Sequence, residues 1–419
     1  MRRYPLGFLS LSASVACERF GFFLLLSLLL LYLTEQFGFT TAQATDILGC
    51  FIAASYVSPL LGGVLADGRL GIVRTASIGY LVAASGYALL LVPTVPALYF
   101  GLTLIALGSG SAKSAPQALA TRLYAHAPHE RDSGLTLIYL LANASAVVSP
   151  VIGETARSWL GWPAAFAVAS LGLVASWGIL RGKRAVLRAT EQIKLSDSDD
   201  GSAPLQNPSR LLLGLCLISL LFSVAHTQSS STLLLWARDH TNRRMLGWEL
   251  PVPYIASLHA GLVVAISPLL SRALSRLRAA PGLPTILTKV AMGLWATSLA
   301  FVPMVLAAQI GTGRTLTSMG WLLCCLALLS VAELLISALG PSFMLRLAPA
   351  QTGGRWLGVW FLSTAAGFWL AGRIGALWDQ VSHALFFALL GGPPLIGVGL
   401  CRMLARPTQR GNSPAVTTP

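Results

Sequence analysis

Long apolar stretches separated by short polar connections dominate the chain, most of them about 20 residues or more of Leu, Ala, Val, Gly and Phe. Phe22 to Leu33 and Leu211 to Leu221, with their continuations, are examples. In hydrocarbon every backbone N–H and C=O must be bonded internally, so only helices or a closed barrel cross it. The runs are too long for barrel strands, which need about 9–11 residues. The pattern predicts twelve membrane helices, near 8–33, 46–67, 73–93, 96–122, 134–156, 160–181, 210–236, 253–275, 284–308, 316–345, 355–377 and 381–404. They are numbered helix 1 to helix 12 in that order.

One long polar connection, Gly182 to Ser209, carries the run Ser196-Asp197-Ser198-Asp199-Asp200-Gly201-Ser202 and separates six segments from six. Its composition is that of a flexible linker, too polar to pack. The expected organisation is an all-α integral membrane protein. It has an N-terminal six-helix bundle at 1–182, a cytoplasmic linker at 183–209, a C-terminal six-helix bundle at 210–405 and a cytoplasmic tail at 406–419. Two pseudo-symmetric bundles imply a site between them.

Composition excludes a water-soluble globule: of 419 residues 55% are hydrophobic and 11% charged, and the mean hydropathy is +0.70. A net charge of +14 invites a nucleic-acid reading, but the basic residues are placed as topology signals. Arg2 and Arg3 precede helix 1, Arg69 and Arg74 follow helix 2, and Arg122 and Arg131 flank the helix 4–5 turn. Arg181, Lys183, Arg184 and Arg188 crowd the link between the halves. Both termini are therefore expected on the cytoplasmic side of the inner membrane, with lipid rather than nucleic acid as the surroundings. Arg238, Arg243 and Arg244 break the pattern locally. The first apolar segment is too long for a signal peptide and lacks a small-residue cleavage site, so it is expected to remain as helix 1.

Catalytic chemistry has little to stand on. All six cysteines fall within predicted spans, which argues against a disulfide framework. No spacing suggests a metal site: His126 and His129 sit in a short loop, and no His-Glu-x-x-His helix occurs. The Ser-rich run Gln228 to Thr232 lacks a nucleophile-elbow context. No enzyme, metal or cofactor is expected.

Four ionisable residues inside the apolar stretches carry the functional signal: Glu18, Arg19, Lys113 and Glu333. Each costs roughly 2.5–3.5 kcal/mol at a helix centre on the mildest scale, so something must repay them. At 1.5 Å per residue, Glu18 and Lys113 lie roughly 14 Å deep, beyond the reach of snorkelling. The default reading is a polar site near the bilayer midplane that handles ions or a charged solute.

Several motifs point to a family. Gly62-Gly63-Val64-Leu65-Ala66-Asp67-Gly68-Arg69-Leu70-Gly71 resembles the cytoplasmic signature of the major facilitator superfamily, whose turn charges, here Asp67 and Arg69, latch neighbouring helices. Glu18-Arg19-Phe20-Gly21-Phe22-Phe23, with Tyr32-Leu33 downstream, resembles the helix 1 signature Glu-x-x-Glu-Arg-Phe-x-Tyr-Tyr of the proton-dependent oligopeptide transporters. Gly108-Ser109-Gly110-Ser111-Ala112-Lys113, and Asp132 to Tyr139 with Asn143 and Ser149-Pro150, are similar to that family's helices 4 and 5. Ala332-Glu333-Leu334-Leu335-Ile336-Ser337, then Leu347-Ala348-Pro349 and Gly358-Val359-Trp360-Phe361, resemble helices 10 and 11. The chain is compact for such a protein, with no room for extra helices between its halves.

The resemblance implies a monomeric secondary transporter of di- and tripeptides or peptide-like zwitterions, driven by protons. Arg19, Lys113 and Asn143 would receive the peptide's carboxylate end, and Glu333 with Ser337 its amino group. Two cations facing one carboxylate would also suit a zwitterion on electrostatic grounds alone. Tyr56 and Tyr139 would either line the pocket or pack. His259, where the family usually has asparagine, is a substrate contact or a packing residue.

The departures bear on coupling. The first glutamate of the helix 1 signature falls on Val15, its tyrosines on Phe22 and Phe23, and a later arginine on Leu26. On helix 7 an expected Trp falls on Ser223 and an expected acid on Thr227. Loss of both the arginine and the acid is what a dispensed gating ion pair would leave, since removing one partner strands a buried charge. Coupling would then rest on Glu18 with Arg19 or Lys113, with His226 as another titratable group. An uncoupled facilitator, an exporter of another zwitterion and a non-transporting peptide sensor stay open.

Overall fold

The computed structural model describes residues 4–68, 70–124, 128–191, 208–245, 247–276, 283–311, 315–337, 340–348 and 352–405. Among them are twelve helices long and apolar enough to cross a membrane. Helices 1 to 6 are Phe8–Leu31, Thr41–Asp67, Ile72–Leu89, Val95–Leu123, Pro128–Leu160 and Trp162–Gly182. Helix 7 is built from Pro208–His226 and Thr232–Asp239, and helices 8 and 9 are Tyr254–Arg276 and Leu283–Ile310. Helix 10 includes Met319–Ile336 and Gly340–Leu347, on either side of residues 338–339, which lie outside the described residues, and helices 11 and 12 are Gly353–Gly375 and His383–Ala405. This is a multi-pass membrane protein.

All twelve expected segments are present, and the differences lie at ends and interruptions. Helix 2 starts at Thr41 rather than near 46 because Thr40 and Gln43 form a reciprocal cap, with backbone-to-side-chain bonds of 3.0 and 3.3 Å. Helix 1 runs on through a π turn, Tyr32–Gln36. Helix 7, expected as one piece, is broken by a 3₁₀ turn at Thr227–Ser230. The amide of the fully buried Gln228 supports that break. Its Oε1 accepts from the Ser231 and Thr232 hydroxyls at 2.9 and 2.8 Å, while Nε2 donates to the Ala371 carbonyl of helix 11 at 3.3 Å.

The linker reading needs correction at its start. Arg184–Glu191 is a short helix, not loose chain. Leu187 and Thr190 are buried, the Val73 N–H donates to Glu191 Oε1 at 2.6 Å, and Arg122 donates to the Glu191 carbonyl. One apolar residue and a capping carboxylate at the start of helix 3 suffice to dock it, which average composition hides. Residues 192–207 lie outside the described residues.

Two-residue ladders, also unforeseen, tie Thr241–Asn242 to Thr317–Ser318 and Arg244–Met245 to Trp248–Glu249. Nearby, two of the charges that break the topology pattern are paired: Arg238 with Asp239 and Arg243 with Glu249, each at 2.7 Å. The six cysteines are free.

The halves meet at helices 2 and 11 and at helices 5 and 8. Without a hydrophobic drive between helices in lipid, small residues permit the contact. A Cβ on Gly49 would lie 2.8 Å from both Gly372 Cα and the Phe368 carbonyl oxygen, so no larger residue fits there without backbone movement. Apolar packing is lopsided along the membrane normal. The N-terminal half and one end of the C-terminal half share a single core that includes Leu29, Trp236, Phe301, Phe368 and Phe387. The other end of the C-terminal half, with Leu212, Leu287, Leu335 and Trp360, forms a separate core. The halves are thus fused at the end away from the chain termini. Arg373 pairs with Asp46 there at 3.0 Å, and the Thr155 and Tyr254 hydroxyls lie 3.4 Å apart.

Candidate functional site

A cavity of about 220 Å³ lies between the halves. Helix 1 contributes Arg19, Phe22, Phe23, Leu26 and Ser27, helix 2 contributes Ile52 and Tyr56, and helix 5 contributes Asn143, Ala146 and Pro150. From the other half come His226, Thr227, Ser229, Ser230 and Leu234 of the broken helix 7, and His259 and Val263 of helix 8. Glu333 of helix 10 and Phe368 of helix 11 complete the principal lining.

Arg19 faces the cavity from one half and Glu333 from the other. Helical spacing puts Arg19, Phe22, Phe23 and Leu26 on the cavity side of helix 1 and turns Glu18 into the bundle. The Glu18 side chain is 2% exposed and its Oε2 is 3.2 Å from Arg19 Nε. Its Oε1 has no hydrogen-bond partner among the described residues. Across the cavity, Glu333 is one-third exposed and its Oε2 is 3.2 Å from His226 Nε2 and 3.7 Å from His259 Nε2. The break in helix 7 begins one residue after His226 and leaves Thr227, Ser229 and Ser230 facing the cavity.

Of the residues expected from sequence, Arg19, Tyr56, Asn143, His259 and Glu333 come together here. The Tyr56 ring packs 4.6 Å from Phe368 across the seam between halves. Asn143 donates to the Tyr139 carbonyl at 2.9 Å, and Tyr139 itself is not part of the wall. Ser337 stands apart: it is exposed, and its N–H caps the Glu333 carbonyl at the end of the first helix 10 piece. The side chains of Lys113 and Asp67, and Arg69 altogether, lie outside the described residues. Sequence marks His226 only as a titratable group near Thr227; its contact with Glu333 joins two helices far apart in the chain. The available signal was two histidines in apolar spans of the half that carries one buried carboxylate.

The departures from the motif also fall on this wall. Leu26 and Thr227 both line the cavity, uncharged. Thr227 Oγ1 donates to the Ser223 carbonyl at 2.6 Å, so its hydroxyl is satisfied within the helix. Ser223 packs under helix 11, where a Cβ on Gly367 would be 2.7 Å from the serine Cβ, leaving no room for tryptophan at 223. Val15 is a buried core residue.

Comparison with known proteins agrees with this architecture. The Major Facilitator Superfamily model matches residues 11–372. The peptide transporter YePEPT of Yersinia enterocolitica is 26% identical over 89% of this chain and 87% of its own. Dipeptide and tripeptide permease A of Erwinia pyrifoliae is 26% identical over 86% of this chain and 83% of its own. Among solved structures, a peptide transporter POT in complex with sulfate superposes with a TM-score of 0.86 at 21% identity, covering 96% of this chain and 94% of the other. A POT family transporter in complex with 5-aminolevulinic acid gives 0.82 at 19% identity, covering 96% of each. These relatives are transporters, not enzymes. The chain belongs to the major facilitator superfamily.

Proposed function

We propose that this protein carries di- and tripeptides, or zwitterions like them, across the inner membrane by alternating access of the halves 1–182 and 210–405. The observation that carries the reading is one cavity with Arg19 and Asn143 on one half and Glu333 on the other. A zwitterion bridging that gap links the halves electrostatically, and in a cleft of low dielectric each contact is stronger than in water. The named relatives are di- and tripeptide permeases, which supports peptides as the class. The shared core and the Arg373–Asp46 pair close the end away from the termini. With both termini cytoplasmic, as the basic residues suggest, this is an inward-facing arrangement.

Coupling to protons runs through Glu18, whose buried carboxylate has Arg19 beside it. Protonation releases Arg19 to the substrate carboxylate, and deprotonation recaptures it. A second reading, uncoupled facilitation, draws on Leu26 and Thr227 standing uncharged on the cavity wall. Titration of the purified protein with a dipeptide, its N-acetylated form and its C-terminal amide tests the zwitterion requirement. Both blocked forms should bind at least tenfold more weakly; equal affinity for all three would overturn the reading. Glu18→Gln protein that kept its full response to a pH gradient would overturn the coupling route.

A further inference from the structure

Three helices deliver three metal-capable side chains to one point on the cavity wall. His226 of helix 7, His259 of helix 8 and Glu333 of helix 10 hold their ligand atoms within 4.8 Å of one another. Both histidine Nε2 atoms approach the same Glu333 Oε2, at 3.2 and 3.7 Å. A hydrogen bond accounts for His226. It does not account for His259, whose Nε2 is buried, aimed at the same oxygen and without a hydrogen-bond partner among the described residues. Leaving a buried polar atom unsatisfied is unfavourable, so such an atom asks for an explanation.

An ion between the three supplies one. Ligand atoms about 2.0–2.1 Å from a tetrahedral metal lie roughly 3.3 Å from each other, and the two histidine–glutamate distances bracket that value. The imidazoles are tilted by 47° with centroids 5.8 Å apart, not stacked, so a modest ring rotation brings both nitrogens to a common centre. Two imidazoles and one carboxylate suit a zinc-class ion, whereas magnesium and calcium prefer all-oxygen shells. Three protein ligands with the fourth position facing an open cavity match an accessible rather than a purely structural site.

We propose that His226, His259 and Glu333 bind a divalent transition-metal ion of the zinc class. The bound ion takes the carboxylate that a substrate's amino group would use. Metal and peptide are therefore mutually exclusive, and a micromolar excess of zinc is a brake on transport. The exclusion rests on the peptide-carrier reading; metal binding itself does not.

The test is calorimetric titration of the purified full-length protein, stripped of metal, with zinc chloride. One ion per chain should bind, and His226→Asn and His259→Asn should each weaken it at least tenfold, while His240→Asn leaves it unchanged. Cobalt(II) in place of zinc gives a readout on the wild type that survives a variant's failure to fold. Intense visible bands of a four-coordinate site support the proposal, and only the faint bands of the hydrated ion overturn it. Zinc uptake that persists in both histidine variants overturns it too. Dipeptide affinity is measured on the same metal-free protein, and should fall at least tenfold once zinc saturates. Zinc binding with no dipeptide affinity would remove the carrier reading and leave the metal site. Dipeptide binding with no zinc binding would do the reverse.

Discussion

His226 Nε2 lies 3.2 Å from Glu333 Oε2, so the carboxylate that we propose meets a substrate's amino group already has a partner from a different helix. The substrate must compete for that oxygen or share the carboxylate. This contact also joins helix 10 to the residue where helix 7 breaks, which links occupancy of the cavity to the most irregular backbone on its wall.

Replacing Glu333 by glutamine removes a charge-assisted bond worth about 1.5–3 kcal/mol, or roughly 10- to 150-fold in affinity. Calorimetry should show that loss for a free dipeptide and none for its N-acetylated form. An equal loss for both ligands would mean that Glu333 acts on the fold rather than on the amino group.

Gln228 holds the helix 7 break through two hydroxyl donors and one carbonyl of helix 11. Gln228→Leu removes the acceptor of the buried Thr232 hydroxyl and leaves Ser231 only its 3.4 Å bond to the Thr227 carbonyl, at about 1–3 kcal/mol for a buried group left unpaired, so the thermal unfolding midpoint should drop. An unchanged midpoint would show that the turn is held by other contacts.

At the seam between halves, Gly49→Leu forces helices 2 and 11 apart, whereas Gly63→Leu points where nothing lies within 4 Å. Spin labels on the exposed Gln43 and Gln380 should report longer distances in the first variant and wild-type distances in the second. No change in either would dissociate this glycine contact from closure of the halves.

Restoring the missing pair tests why it is absent. Leu26→Arg and Thr227→Glu each place an uncompensated charge on the cavity wall, a defect of about 3–5 kcal/mol when buried, and should fold poorly. The double variant should recover expression and gain a stronger response of uptake to a proton gradient. Recovery of neither would mean that the two sites do not face each other.

Acid should weaken the end away from the termini. His240 packs against Trp236 and His383, each 4.6 Å away, and its carbonyl accepts from Thr317. Burial holds its pKa below the usual 6.5, with Asp239 pulling the other way. The unfolded chain therefore binds the proton first, and stability present above the ordinary histidine pKa falls as pH drops through about 6.5 toward the lower folded value. Thermal melts between pH 8 and 5 should decline, and His240→Asn should flatten part of that decline.

The twelve helices were legible because a span of about 20 apolar residues has few alternatives in lipid. Helix ends set by polar side chains were less so: the Thr40–Gln43 cap and the Gln228-supported break depend on single bonds that average hydropathy ignores. The helix at Arg184–Glu191 was missed because one buried leucine and one capping glutamate outweighed a polar composition. Arg19, Asn143 and Glu333 could be named from motif spacing within their own helices. The meeting of His226, His259 and Glu333 could not, since the register between helices 7, 8 and 10 appears only on packing. Ser337, four residues after Glu333 and so one helical turn from it on paper, falls just past the helix end at Ile336 and is exposed.

Uptake of a labelled dipeptide into liposomes, with and without an inward proton gradient, bears most directly on the central claim. The account predicts gradient-stimulated accumulation that Glu333→Gln abolishes. Accumulation indifferent to Glu333, or no uptake of any free dipeptide, would contradict it.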